Sequence, residues 1–197
     1  MSETDNIKDY WEQRYINEQT GWDIGEVSAP LKEYFDQLQN KDLKILIPGG
    51  GNAHEASYLH HAGFTNVYVL DIAEQPKVNF LSSHPDFPAD HWIGEDFFQH
   101  TGSYDLIVEQ TFFCAIDPNR RAEYARKCHQ LLNNSGKLAG VLFNCSFDGG
   151  PPFGGTETEY RKYFELLFRF KIWSACYNSI KPREMRELFI ILEKNSK

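Results

Sequence analysis

Several features that would assign this 197-residue chain to a protein class are absent from its sequence. No apolar run approaches the ~20 residues that a membrane-spanning helix needs, and no apolar segment follows the acidic N-terminus as a secretory signal requires. Basic residues number 20 against 28 acidic ones, and the net charge of −8 works against a nucleic-acid partner, because phosphate neutralisation depends on lysine and arginine. We therefore expect a cytoplasmic protein that binds neither nucleic acid nor membranes.

Cysteine is scarce, and its spacing argues against a metal or disulfide framework. No two cysteines form a CxxC pair, so we expect buried, reduced thiols and no metal site. No Ser-His-Asp or Cys-His-Asp set is evident either. His54 is predicted to start a helix, and His60-His61 to lie on a solvated helix end. The cysteines are Cys114, Cys128, Cys145 and Cys176.

The chain does contain alternating apolar runs and amphipathic segments, with 41% apolar and 15% aromatic residues. This composition is typical of an ordered globular protein, and we expect a single domain over residues 1–197. The predicted strands cover 43–47, 66–70, 91–93, 104–109, 137–143, 169–176 and 187–193. The predicted helices cover about 6–18, a segment after Pro30, 53–62, 74–82, Asp117-Pro118 to Asn134-Ser135-Gly136, and about 157–166.

Strands that alternate with helices predict an α/β fold with a mainly parallel sheet. The last two predicted strands are joined by only about ten residues, too few for a crossover helix. They should therefore pair antiparallel. This expectation differs from an ordinary dinucleotide-binding fold.

A glycine-rich turn predicts the position of a ligand site. The apolar strand Ile45-Leu46-Ile47-Pro48 runs into Gly49-Gly50-Gly51 and then into a predicted helix. Asp71 ends the next apolar run, Val67–Leu70. Glycines let the backbone approach a ligand, and an acid at the tip of the second strand reaches ribose hydroxyls. The arrangement predicts a site for an adenosine-containing cofactor.

Two features near this turn favour S-adenosylmethionine (SAM) over a nicotinamide or flavin dinucleotide. In a G-x-G-x-x-G frame that starts at Gly49, His54 occupies the third glycine position, where glycine normally permits close helix–strand packing. Asp96, followed by Phe97, comes after the third strand, where SAM enzymes commonly place an acid that binds the adenine amino group. The alternative for Asp96 is a residue that caps a turn.

The third feature is a group of aromatic residues near the N-terminus. Trp11 and Tyr15 are four residues apart and share one face of the first predicted helix, and Trp22 follows. Aromatic faces attract cations, and SAM carries a sulfonium. The alternative is ordinary core packing of an amphipathic helix.

With these residues assembled, the chain resembles the thiopurine methyltransferase superfamily and, within it, the plant-type halide/thiol methyltransferases. The resemblance implies a Rossmann-like class I SAM-dependent methyltransferase fold. Its sheet has seven strands, mainly parallel with an antiparallel C-terminal strand, flanked by helices, and residues 1–30 form a lid over the cofactor. The motifs that carry it are Trp11-x-x-x-Tyr15, Gly21-Trp22-Asp23-x-Gly25, Pro48-Gly49-Gly50-Gly51, Leu70-Asp71-Ile72, Glu95-Asp96-Phe97-Phe98, Phe113-Cys114-Ala115-Ile116-Asp117-Pro118, Asp148-Gly149-Gly150-Pro151-Pro152-Phe153 and Ser179-Ile180-x-x-Arg183.

The resemblance also implies which residues form the site, without assigning a catalytic role to any of them. Tyr15 and Phe153 stand where the plant enzymes usually carry tryptophan and tyrosine, and the second change removes a hydroxyl from the expected acceptor pocket. The expected acceptor-pocket residues are Phe112, Arg121, Phe153 and Arg183. The expected cofactor residues are Trp11, Tyr15, Trp22, Gly49, Gly51, Asp71, Asp96, Phe97 and Gln110.

The predicted activity is methyl transfer from SAM to a small soft nucleophile by in-line displacement. An anionic nucleophile needs no general base, so catalysis consists mostly of alignment and desolvation. Halide, bisulfide, small thiol and thiopurine remain open as acceptors. The alternatives are a SAM-binding module without methylation, a methyltransferase of an unrelated small molecule, and a nicotinamide oxidoreductase.

Overall fold

The computed structural model describes residues 3–195, which form one seven-stranded sheet with helices packed on both faces. None of the helices in this part of the chain has the length and apolar content needed to cross a membrane. The strands are β1 (Ile45–Pro48), β2 (Val67–Leu70), β3 (Trp92–Ile93), β4 (Tyr104–Gln110), β5 (Leu132–Phe143), β6 (Phe168–Ala175) and β7 (Glu187–Lys194).

The α-helices are α1 (Glu3–Ile16), α2 (Ala29–Asp36), α3 (His54–His61), α4 (Gln75–Ser83), α5 (Arg121–Leu131) and α6 (Glu157–Phe164). Helices α2, α4 and α6 begin at start signals in the sequence. Pro30 and Pro76 occupy the first turns of α2 and α4, where the missing N–H costs no helical hydrogen bond. The Thr156 hydroxyl accepts a hydrogen bond from the Glu159 amide (3.2 Å) and caps α6.

The strand order is β3-β2-β1-β4-β5-β7-β6. Strands β1 to β5 run parallel to one another, whereas β7 is antiparallel to both β5 and β6. The mainly parallel sheet with an antiparallel C-terminal strand is therefore confirmed. The strand order reverses between β1 and β4, and a crevice forms at the carboxyl ends of the strands at such a switch point.

Apolar clusters cover both faces of the sheet. Every residue of β1 is buried, as expected for a parallel strand with helices on either side. One cluster surrounds Tyr124 and Phe164, and the other surrounds Leu59 and Phe80. These packed layers give the strand ends at the crevice a rigid base.

The largest differences from the predicted boundaries are in α1 and at the end of α5. Helix α1 lies earlier than the expected 6–18, because Glu18 adopts a left-handed backbone conformation (φ 54°) just after it. The turn Asn134-Ser135-Gly136 does not end α5. Helix α5 ends at Leu131, and the turn residues form an irregularity inside β5, where the pairing with β4 shifts register and Ser135 has φ 61°. These residues do form a turn-like irregularity, but it lies within a strand and does not end a helix.

Candidate active site

A cavity of about 450 Å³ lies at the carboxyl ends of the central strands, with α1 on one side. Its volume falls within the range of small-molecule sites. Residues that follow β1, β2, β3 and β4 line it, as do aromatic residues from α1 and from the loop after α1. A second, smaller cavity of about 50 Å³ shares Tyr15, Trp22, Gly49 and Thr111 with it.

The glycine turn forms one wall of the larger cavity and needs glycine at two positions. Gly49 and Gly51 both have left-handed backbone angles, φ 59° and 52°, which side chains rarely adopt. A Cβ atom on Gly49 would collide with the ring of Phe112, and one on Gly51 would collide with the hydroxyl of Tyr15. Gly49 lines the larger cavity and Gly51 the smaller one.

Asp71, directly after β2, connects this turn to the cavity. Its carboxylate accepts hydrogen bonds from the backbone amides of Gly51 and Ala73, both at 2.9 Å. Burial raises the pKa of Asp71 to about 6, although the amide hydrogen bonds oppose the rise. A buried, cavity-lining carboxylate of this kind is well suited to accept hydrogen bonds from ligand hydroxyls.

The segment after β3 also lines the cavity. Asp96 lines it and also accepts a hydrogen bond from the Phe98 amide (2.9 Å), so its side chain stabilises a turn as well. Phe97 lines the cavity and is buried. Glu95, also in the wall, pairs with the buried His100, whose Nε2 lies 2.8 Å from the Tyr104 hydroxyl. These contacts hold the turn in place.

Three aromatic rings from the N-terminal region form a cage at the cavity wall. The Trp22 ring packs edge-on against Trp11 and Tyr15, with centroid distances of 5.5 and 5.8 Å. All three rings line the cavity. Burial raises the pKa of Tyr15, so its hydroxyl stays protonated. Such a cluster of ring faces can receive a cation.

A carboxylate on α1 binds the start of α4 and so attaches α1 to the rest of the domain. The Glu12 carboxylate accepts hydrogen bonds from the amides of Glu74 (2.7 Å) and Gln75 (3.1 Å). A negative charge at a helix N-terminus is stabilised by the unsatisfied N–H groups and the helix dipole. This contact sets the position of Trp11 over the cavity.

The remaining wall is mostly apolar, and a buried glutamate holds the backbone of the segment that forms it. Phe112 and Phe153 line the cavity. Glu109, at 1% exposure, accepts hydrogen bonds from the amides of Phe112 and Phe113 (both 2.8 Å) and from the Tyr124 hydroxyl (2.6 Å). Burial raises the pKa of Glu109 to about 7. No sequence motif singles out Glu109.

Two of the expected acceptor-pocket residues are not among the described residues that line the cavity. The buried Arg121 donates hydrogen bonds to the Phe153 carbonyl (3.0 Å) and to Glu159 (3.2 Å). Arg183 donates to the Trp22 carbonyl (2.6 Å). Both guanidinium groups therefore fix backbone segments that carry cavity-lining rings.

Two further polar residues, Gln110 and Arg120, line the cavities. Gln110, expected at the cofactor, lines the smaller cavity, and its side-chain oxygen accepts a hydrogen bond from the Ser28 hydroxyl (3.1 Å). Arg120, which the sequence did not indicate, lines the larger cavity, lies 3.6 Å over the Phe98 ring and pairs with Glu123 (2.9 Å). The resemblance had implied its neighbour Arg121 for the acceptor pocket instead.

No group of three or more histidine, cysteine, aspartate or glutamate residues within 3–195 has a geometry that could hold a metal ion. The four cysteines are free, and three of them are buried. Burial raises the pKa values of Cys114 and Cys128, so both stay as neutral thiols.

Comparison with known proteins identifies the family. The family model for thiopurine S-methyltransferase matches residues 6–195. A protein of Arabidopsis thaliana named "Probable thiol methyltransferase 2" is 27% identical over 165 residues, covering 81% of this chain and 73% of its own length. The thiopurine S-methyltransferase of Pseudomonas fluorescens SBW25 is 26% identical over 191 residues, covering 84% of this chain and 85% of its own.

A solved structure shows that the fold is shared more widely. The crystal structure of Burkholderia thailandensis 1,6-didemethyltoxoflavin-N1-methyltransferase, with bound S-adenosylhomocysteine (SAH), superposes with a TM-score of 0.76 at 15% identity. The match covers 96% of this chain and 88% of that one. The chain therefore belongs to the thiopurine S-methyltransferase family of SAM-dependent methyltransferases.

Proposed function

We propose that the protein transfers the methyl group of SAM to a small soft nucleophile, namely a thiol, bisulfide or halide. The observation that carries the proposal is the convergence of two halves in one cavity. One half contains the glycine turn, Asp71, Asp96 and the aromatic cage, and the other is the apolar wall around Phe112. The names of the relatives above, thiol and thiopurine methyltransferases, support a sulfur acceptor.

The described residues fit the cofactor by their chemistry. The glycine turn has no room for a Cβ at Gly49 or Gly51, so the backbone of the turn, rather than a side chain on it, would form the surface for the methionine moiety. Asp71 would accept hydrogen bonds from the ribose hydroxyls, and Asp96 with the Phe97 amide would bind the adenine. Gln110, beside the glycine turn in the smaller cavity, would contact the methionine moiety.

When bound, SAM supplies a methyl group on a positively charged sulfur. The rings of Trp11, Tyr15 and Trp22 would stabilise that charge through their faces. Phe112 and Phe153 would remove water from the acceptor, which raises the reactivity of a soft anion. The described lining includes no histidine, cysteine or lysine, which suits an acceptor that arrives already ionised.

We also propose how the chain is organised and where it acts. Residues 1–197 would work as one domain, with residues 1–30 as a lid over the cofactor. The contacts of Glu12 and Trp22 with α4 and Arg183 support this role for the N-terminal region. The four free cysteines support a reducing compartment, the cytoplasm.

The test is a product assay with an acceptor panel. The protein is incubated with SAM and, separately, iodide, bisulfide, methanethiol and benzenethiol, and methylated products are measured by headspace gas chromatography–mass spectrometry. We expect product from at least one acceptor. Tight SAM binding with no product from any of them would refute the proposal and favour a binding module or an unrelated acceptor. Quenching of tryptophan fluorescence by NADH, but not by SAM, would favour an oxidoreductase.

A further inference from the structure

One carboxylate holds the loop after α1 to the start of α3. Asp23 Oδ1 accepts a hydrogen bond from the Gly25 amide (2.7 Å) and lies 2.8 Å from His54 Nε2, while Oδ2 accepts one from the Asn52 side chain. Asp23 directly follows Trp22, a member of the aromatic cage. Loss of these contacts would therefore weaken the attachment of the segment that carries the Trp22 ring, which Arg183 also holds through the Trp22 carbonyl.

His54 stands at the third glycine position of the G-x-G-x-x-G frame that starts at Gly49. The function proposed above assigns no role to it. It is the first residue of α3, directly after Ala53, whose left-handed backbone (φ 54°) ends the glycine turn. The Asp23 and His54 side chains are 18% and 31% exposed. The pair is thus shielded enough to interact strongly and open enough to exchange a proton with solvent.

Among the described residues, the largest charge interactions of His54 are with acidic groups. Asp23 and Glu26 come from the loop after α1, and Glu55 comes from α3 itself. The hydrogen bond with Asp23 raises the pKa of His54 above its ordinary 6.5, and the same contact lowers the pKa of Asp23. Protonated His54 therefore has a fixed, ionised partner.

We propose that Asp23 and His54 form a pH-sensitive latch that closes the loop of residues 17–28 against α3 and sets the strength of cofactor binding. When the loop is open, His54 would be solvated and would titrate near 6.5. The closed form thus gains its full extra stability below about pH 6.5 and loses it as the pH rises through the higher pKa of closed His54. SAH affinity should weaken in the same direction. The link to cofactor binding rests on the proposed function.

The latch itself can be tested without any ligand. The His54 ring is assigned by comparison with His54→Gln and titrated by ¹H–¹³C nuclear magnetic resonance in the full chain. We expect a pKa above 6.5 in the wild type and a return towards 6.5 in Asp23→Asn. A His54 pKa that is the same in both proteins would overturn the latch, whatever the enzyme methylates.

The second test measures SAH binding by calorimetry between pH 7 and 9, above the pKa of Asp71 at about 6. The wild-type dissociation constant should rise about three- to tenfold, because a charge-assisted hydrogen bond becomes a neutral one. His54→Gln keeps a donor for Asp23 but cannot titrate, so its dissociation constant should vary much less. His60→Gln is the matched control: His60 lies on the same helix and pairs with Asp86 at 3.1 Å.

Three outcomes separate the claims. A wild-type pH dependence that His54→Gln abolishes and His60→Gln retains supports the latch. The same pH dependence in the wild type and in His54→Gln overturns it. No SAH binding at any pH overturns the proposed function, while the ring titration still decides whether Asp23 and His54 form the pair.

Discussion

Glu109 offers a stability prediction with a definite sign. Its carboxylate is buried and holds the amides of Phe112 and Phe113, and burial raises its pKa from 4.5 to about 7. The folded state therefore binds this proton more tightly than the unfolded state does. The resulting stability is fully present below about pH 4.5 and is lost as the pH rises to about 7.

The size of the effect follows from the same values. At about 1.36 kcal/mol per pKa unit, the rise corresponds to roughly 3 kcal/mol, most of it lost between pH 5 and 8. Glu109→Gln removes the titration, keeps an acceptor oxygen for the two amides and places an NH₂ group near the Tyr124 hydroxyl. The stability of Glu109→Gln relative to the wild type should therefore be about 2–3 kcal/mol more favourable at pH 8 than at pH 5.

The assay is urea unfolding followed by tryptophan fluorescence at the two pH values, with m-values compared to confirm that the transition is unchanged. Glu165→Gln, at an exposed position after α6, is the control and should follow the wild type. If Glu109→Gln also follows the wild type across this range, the Glu109 carboxyl titrates normally and the reasoning from burial fails.

Three further predictions concern the site. Gly51→Ala should lower the unfolding free energy by about 1–2 kcal/mol, because residue 51 has a left-handed backbone. The loss should be smaller in a Tyr15→Phe background, which lacks the hydroxyl that the new Cβ would meet, and equal losses in both backgrounds would contradict the geometry. Asp71→Asn should weaken SAH binding, measured by calorimetry, about tenfold or more. The SAH affinity of the wild type should also decrease when the pH is lowered below about 6, because Asp71 is then protonated. Unchanged affinity in both experiments would exclude a role for Asp71 in cofactor binding. Arg121→Met should raise the KM for the acceptor with little change in SAH affinity, because the Phe153 carbonyl loses its hydrogen bond from Arg121. A change confined to SAH binding would be inconsistent with a role of Arg121 in positioning Phe153.

Local signals in the sequence explain why the fold could be predicted. An apolar run that leads into a glycine turn marks β1, an apolar run that ends at Asp71 marks β2, and Pro30 and Pro76 mark helix starts. The short connection before β7 requires an antiparallel pair, because no crossover helix fits. The Asn134-Ser135-Gly136 turn misled because a turn signal does not distinguish a helix end from an irregular strand.

Contacts between distant residues explain what the sequence could not reveal. The resemblance implied that Arg121 and Arg183 lie in the acceptor pocket, but a matching position in the sequence does not give the direction of a long side chain. Arg183 reaches Trp22, 161 residues away, and Arg121 reaches the Phe153 carbonyl. The contact between His54 and Asp23 likewise joins residues 31 apart, and only the folded chain shows it.

The most direct test of methyl transfer is a single-turnover experiment with SAM that carries a trideuterated methyl group. Enzyme in excess over SAM is mixed with the best acceptor of the panel, and SAH and the deuterated product are measured in the same samples. The cavity chemistry predicts one trideuteromethyl product for each SAH formed. SAH formation without labelled product, or no SAH with any acceptor despite tight SAM binding, would contradict it.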